Sequence, residues 1–185
     1  MPNAFRLLVY TFIIFNSSIL TASIYDDDTL NIFSKISPRL VLMSSQKEKL
    51  KDEINICVLY DEMDKRLASL LISKTENNYP NGIKNYKINF TKSNYSNIKK
   101  CQNTQLIFLF NTDEENIQKA LEYSLMNKTL TISYDQKILE DGVDISLFLG
   151  RKIIPYININ SIRKKDIVLN NILLRISKIY TARDK

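Results

Sequence analysis

The sequence predicts an α/β fold: a single layered domain with a mostly parallel sheet, helices on both faces and an antiparallel C-terminal hairpin at the edge. Three observations predict it. From residue 54 onward, short β-branched and aliphatic runs alternate with segments of helical periodicity, the order of a layered α/β domain. Two of those runs, Ile56 to Tyr60 and Gln105 to Phe110, are almost continuously apolar, as strands buried on both faces are. The 185 residues, 44% of them hydrophobic, suffice for one sizeable core, and no repeat, low-complexity stretch or linker divides them.

Residues 1–23 carry the parts of an export signal in order. Arg6 supplies a positive start, and Leu7 to Phe15 a mostly apolar core too short to span a bilayer. Thr21-Ala22-Ser23 is a small-residue site, with cleavage expected after Ala22 or Ser23. Ile19 and Leu20 lengthen the apolar run, so an uncleaved anchor is the competing reading. Residues 24–185 are then the domain, and no later segment is long and apolar enough to cross a membrane.

Asp26-Asp27-Asp28 suits a helix start, where carboxylates meet free N–H groups and the positive end of the dipole. Leu30, Phe33, Ile36 and Leu40 give one apolar face, and Pro38 predicts a kink or two short helices. Ile54 to Tyr60 is the first strand. Asp61 is expected to cap a helix whose buried positions are Met63, Leu67, Leu70 and Leu71, ended by Asn77 to Gly82. Tyr86 to Phe90 alternates as a second strand, and Thr91 to Cys101 is polar. Gln105 to Phe110 is expected to be the central strand. Thr112 and Glu115 have capping-box spacing ahead of a helix that buries Ile117, Ala120, Leu121 and Leu125. Thr129 to Tyr134 is a fourth strand, and 136–144 a loop with Gly142 as its special backbone position. Ile145 to Leu149 and Ile153 to Ile159 form the hairpin. A terminal amphipathic helix comes last, with 169, 173, 176 and 180 as its stripe.

Composition removes many function classes. There is no His, so imidazole acid–base catalysis, His triads and His metal sites are excluded. Three glycines, at 82, 142 and 150, leave no glycine-rich phosphate loop. The net charge of +6 is dispersed, its densest cluster being Arg163-Lys164-Lys165, and does not form the basic, aromatic-interleaved stripe of a nucleic-acid binder. The carboxylates Asp61, Glu62 and Asp64, then Asp113-Glu114-Glu115, then Glu140, Asp141 and Asp144 come after strands, where α/β sheets place ligands. Each set is also explained by helix capping or a solvated loop, and none has the ligand spacing of a calcium loop. No Ser or Thr has a recognisable base. No catalytic residue, cofactor or metal is therefore expected. Cys57 and Cys101, an even count in an exported chain, suggest one disulfide; two separate buried thiols are the alternative, and a metal site is short of ligands.

The late region resembles the YfiR family of periplasmic proteins. Ile157-Asn158 fits the end of its terminal strand, Ile167 and Leu169 its next apolar pair, and Leu173-Leu174-Arg175-Ile176 its helix core, in register without a gap. Ile56-Cys57-Val58-Leu59 resembles the family's first strand with its cysteine, Cys101 corresponds to the cysteine ahead of the middle apolar run, and Gly142 fits the Gly before the penultimate strand. Asp166 stands where the family has Gly, Asn170-Asn171 replace Ser-Ser, and Ile172 replaces Lys. The resemblance implies a non-enzymatic periplasmic regulator in cyclic-di-GMP signalling. Its partner would be an envelope protein, either an inner-membrane sensor such as a diguanylate cyclase periplasmic domain or an outer-membrane lipoprotein, and a homodimer is also implied. The polar residues of the terminal stretch, Arg163, Lys164, Lys165, Asn170, Asn171 and Arg175, are then the candidates for partner contact. Competing functions are a small-ligand binder using the strand ends near Asp61 and Asn111, and a structural component of an envelope assembly.

Overall fold

A computed structural model describes residues 26–180; the predicted export signal at 1–23 lies outside the described residues. Helix α1 (Asp27–Leu42) begins where the Asp26 carboxylate accepts the Thr29 amide at 2.7 Å. It runs through Pro38 as one helix, not as two short ones. Pro38 cannot donate to the preceding turn, but its ring is buried in the core. A 3₁₀ turn (Ser45–Lys49) leads to β1 (Glu53–Tyr60), and a second (Glu62–Asp64) to α2 (Lys65–Asn78). Met63 falls in that turn and is exposed, so it is not a core position as its spacing suggested.

Next come β2 (Lys87–Asn94), a 3₁₀ segment (Tyr95–Cys101), β3 (Leu106–Leu109) and α3 (Glu114–Met126). Asp113, not Thr112, caps α3, accepting the Asn116 amide at 2.8 Å. Leu125, expected to be buried, is exposed. After β4 (Leu130–Ser133), the predicted loop contains a short helix, α4 (Ile138–Asp141). Gly142 ends it at φ +119°, a conformation an L side chain rarely adopts.

The predicted hairpin is β5 (Ile145–Leu149) and β6 (Ile153–Asn158). The stretch beyond the hairpin is not one helix. Asn158 caps α5 (Ile159–Lys164), accepting the Ser161 amide at 3.0 Å; Asp166 turns the chain at φ +55°; Asn170 caps α6 (Asn171–Ile176), accepting the Leu173 amide at 2.8 Å. Two side-chain caps and a left-handed residue divide the stretch that apolar spacing alone reads as continuous. Between the helices, 168–170 bonds the segment after α1: Ser45 N to Val168 O at 2.7 Å and Asn170 N to Met43 O at 2.9 Å. The chain then enters β7 (Lys178–Tyr180), an additional strand beyond the hairpin.

The strands form one sheet in the order β2-β1-β3-β4-β5-β6-β7, parallel except for the β5–β6 pair. β3 is third, one place from the centre, with all four residues buried. Alternation places Ile56, Val58, Phe108 and Ile132 on one face with Leu30, Phe33, Leu67, Leu71, Ile167 and Leu173. Cys57, Leu59, Ile107 and Leu109 face the other side, packing with Ile117, Ala120, Leu121 and Val143. Cys57 and Cys101 are disulfide-bonded across 44 positions, fastening the 3₁₀ segment to β1. Closing a loop of that size stabilises by roughly 4 kcal/mol through the entropy removed from the unfolded chain.

Candidate functional site

The exposed apolar residues are concentrated in the C-terminal part of the chain. Nine large hydrophobic side chains stand exposed among the described residues, and six of them (Phe148, Ile153, Val168, Ile172, Ile176 and Ile179) lie beyond residue 147. A surface rich in exposed apolar groups over one short stretch marks an interaction site more often than isolated exposed residues do. The β6–β7 register pairs Tyr156 with Lys178 and Ile157 with Ile179. Ile176 ends α6 two residues before Lys178, so the α6–β7 junction leads directly into the strand that pairs with the hairpin. Ile153, Ile157 and Ile179 share one face by alternation, and Phe148, Tyr156 and Lys178 the other. There the Phe148 and Tyr156 ring centroids are 6.3 Å apart, and the Lys178 ammonium is 5.4 Å from the centre of the Tyr156 ring.

The charge of this stretch is one-sided. From Ile145 to Tyr180 the single carboxylate is Asp166, which pairs with Lys128. Arg151, Lys152, Arg163, Lys164, Arg175 and Lys178 form no ion pair among the described residues.

The predicted contact residues are distributed unevenly. Arg163 and Lys164 are exposed at the end of α5, and Asn171 and Arg175 are exposed on α6. Asn170 is exposed, but its side-chain oxygen is committed to capping α6. Lys165 is a correction: it is 2% exposed and offers no surface. Its ammonium bonds Asp144 Oδ2 at 2.6 Å and the Thr129 carbonyl at 3.1 Å. Asp144, read from sequence as part of a solvated loop, is buried at the entrance to β5. It also accepts the Thr131 amide and hydroxyl at 2.7 and 2.8 Å and the Ser161 hydroxyl at 2.6 Å. Burial pushes the Lys165 ammonium below its ordinary range, and Asp144 offsets part of that. The cluster ties β4, β5 and α5 together and so sets where the terminal segment lies.

Sequence reasoning missed Ile172, Ile176 and Ile179, because helical spacing assigns Ile176 to the core stripe. Leu169 and Leu173 are buried as expected, whereas Ile176 is 56% exposed. The signal that would have found the edge is the run without free carboxylates after Asp144.

The other carboxylates have local structural roles or lie in solvent. Asp61 accepts a hydrogen bond from the Thr112 hydroxyl, joining the ends of β1 and β3. Burial and then the Asp61 charge raise the Asp64 carboxyl, and burial, then Glu114, Glu140 and Asp135, raises Asp141. Among the described residues no group of three His, Cys, Asp or Glu side chains is placed to hold a metal ion, and no helix is long and apolar enough to cross a membrane. A polar cleft of about 710 Å³ opens at the N-terminal ends of β1 and β3, between Lys49, Lys51, Asn55, Asn103 and Asn127. It is at the opposite end of these strands from Asp61 and Asn111.

A family model described as YfiR/HmsC-like matches residues 40–178. No curated protein matches the chain. Among solved structures, a conserved domain protein from Vibrio cholerae is similar at 12% identity, TM-score 0.58, over 82% of this chain and 60% of its own. The ABC domain in complex with L-Trp from Streptococcus pneumonia is similar at 9% identity, TM-score 0.54, over 77% and 59%. The ligand-free, open structure of a substrate binding protein with adhesive properties from Clostridium difficile is similar at 8% identity, TM-score 0.58, over 87% and 61%. At these identities the likeness is one of fold. The chain spans about 60% of the length of these structures.

Proposed function

The chain belongs to the YfiR/HmsC-like family, and on that premise we propose that it is a non-enzymatic periplasmic regulator that acts by binding another envelope protein. The observation that supports this reading is the C-terminal edge, where Ile153 and Ile179 on the last strands and Ile176 just before β7 are exposed, with Arg151, Lys152, Arg175 and Lys178 next to them in the chain. Apolar anchors with charged residues around them suit a protein interface, and unpaired cations steer an acidic partner toward it. The partner in this reading is the periplasmic domain of an inner-membrane sensor, of the kind that controls a diguanylate cyclase; an outer-membrane lipoprotein would compete for the regulator.

A photo-crosslinking residue placed at 176, and separately at 63, tests this in intact envelopes. Met63 is also an exposed apolar residue but lies away from the edge. The expected result is an adduct to an inner-membrane protein with a periplasmic domain from position 176 and none from 63, lost with Arg175→Glu. No adduct from 176, or equal adducts from both, overturns the reading.

The polar cleft supports a second reading, a small-ligand binder. Lys51, Asn55 and Asn103 line it with side-chain polar groups that bond no other described residue. Thermal-shift screening against polar metabolites is expected to raise the midpoint of the parent chain but not of Asn103→Ala. A shift in neither removes this reading.

A further inference from the structure

The last strand offers a backbone as well as a surface. β7 pairs with β6 on one side and, among the described residues, with nothing on the other. Such an edge exposes N–H and C=O groups ready to pair with another chain, and proteins ordinarily guard it. The opposite edge is guarded. β2 shows no exposed large aliphatic, carries exposed Lys87 and Lys92, and ties the Lys92 ammonium to Ser69 Oγ at 2.7 Å. β7 is short and also carries a lysine, Lys178, but unlike β2 it is flanked by exposed Ile176 and carries exposed Ile179.

We propose that an extended segment of the partner adds to β7 as an eighth strand, and that this segment alternates acidic and aliphatic residues. This rests on the reading above that the C-terminal edge receives a partner. Side chains on neighbouring strands meet on the same face, so an added strand must match the alternation of β7. On one face it meets Ile179, with Ile153 and Ile157 behind it; on the other it meets Lys178, whose ammonium pairs with no carboxylate, and Tyr180, whose hydroxyl is bonded to Glu140. Aliphatic residues suit the first face and Asp or Glu the second, and Arg151, Lys152 and Arg175 extend the demand for negative charge. A second copy of this chain fits less well, because pairing two β7 edges brings together two segments that both carry cations and, from Ile167 to Tyr180, no carboxylate. Backbone pairing supplies affinity and the alternating pockets supply selectivity, as in other strand-addition complexes.

The test uses the full chain and a synthetic peptide of about nine residues alternating valine and glutamate. Binding is tracked by NMR shifts of the 178–180 amides. Three control peptides accompany it: one with the glutamates gathered at one end, one with lysine for glutamate, and one methylated at two consecutive central backbone nitrogens, one on each edge. The expected result is saturable shifts with the alternating peptide, weakened about tenfold or more by each control and by Arg175→Glu with Lys178→Glu. One of the two methylated nitrogens faces β7, so one net backbone hydrogen bond is lost and the methyl group blocks close approach of the strands, which together account for a change of that size in that control. Equal binding of the methylated peptide overturns strand addition, and equal binding of the gathered peptide overturns the alternation. No peptide binding, with the chain sedimenting instead on phosphatidylglycerol vesicles through the same cations, makes the edge a lipid surface and overturns both. An intact crosslink from position 176 with no strand pairing removes this inference alone; absence of that crosslink removes the reading beneath it.

Discussion

The ammonium of Lys165 lies 2.6 Å from Oδ2 of Asp144, with both side chains buried under the start of β5. Removing one member of such a pair leaves the other charged in a site that solvates charge poorly. Lys165→Met is therefore expected to cost roughly 3–5 kcal/mol. Adding Asp144→Asn should recover part of that, because the orphaned charge goes with it. Urea unfolding of the two variants checks this; a double variant less stable than Lys165→Met would show that Asp144 is worth more to Thr131 and Ser161 than its isolated charge costs.

Asp166 has φ +55° and lies exposed, paired only with Lys128 on the surface. Glycine adopts that conformation without the Cβ clash that costs other residues about 1–2 kcal/mol, and Asp is among the few that tolerate it. Asp166→Gly is expected to leave stability within about 0.5 kcal/mol of the parent, since an exposed ion pair contributes little. Asp166→Val should cost about 1–2 kcal/mol. Thermal melts of both separate backbone strain from loss of the ion pair: equal destabilisation by the two would locate the effect in the pair.

The same residue shows what the sequence carried and what it did not. β1 and β3 were legible because burial on both faces leaves continuous apolar runs, whereas the edge strand β2 shows only alternation and runs on through the polar 91–94. The terminal stretch was not legible. Leu169, Leu173 and Ile176 have helical spacing, yet only the first two are buried. Spacing is blind to the Asn158 and Asn170 caps, which use side chains that read as polar surface. Asp166 does stand where the resembled family has Gly, and its left-handed backbone is the physical reason a Gly suits that position. Lys165 could not be foreseen as buried, because its partner Asp144 is 21 positions away and joins it only through the fold.

Leu173 and Ile176 face opposite environments one helical turn apart. Leu173 is 1% exposed and packs in the larger core; Ile176 is 56% exposed. Leu173→Ala is expected to cost about 2–5 kcal/mol, and Ile176→Ala to change stability by no more than about 0.5 kcal/mol. Leu173→Asp should unfold the domain, whereas Ile176→Asp should fold normally and fail only in partner capture. Circular dichroism with denaturant titration reads the first difference. A large loss of stability in Ile176→Ala would move that residue from interface to core and deprive the edge of its central anchor.

Asp141 closes the short helix α4 at the end where the dipole is negative, and its carboxyl is raised above the usual 3.8 by burial and by Glu114, Glu140 and Asp135. A raised carboxyl binds protons more tightly in the fold than in the unfolded chain. Between 3.8 and the folded value the native state holds the larger share of protons, so the Asp141 contribution to stability falls as pH rises through that window. Above it the destabilisation is complete, and below 3.8 it is absent. Asp141→Asn is isosteric and carries no charge. It is expected to be more stable than the parent at neutral pH, with the difference closing as pH falls toward 3.8. Urea midpoints for the two proteins across this range decide it. A difference that persists unchanged in acid would assign the effect to the amide's own hydrogen bonds, and the crowding of these four carboxylates would then contribute nothing to stability.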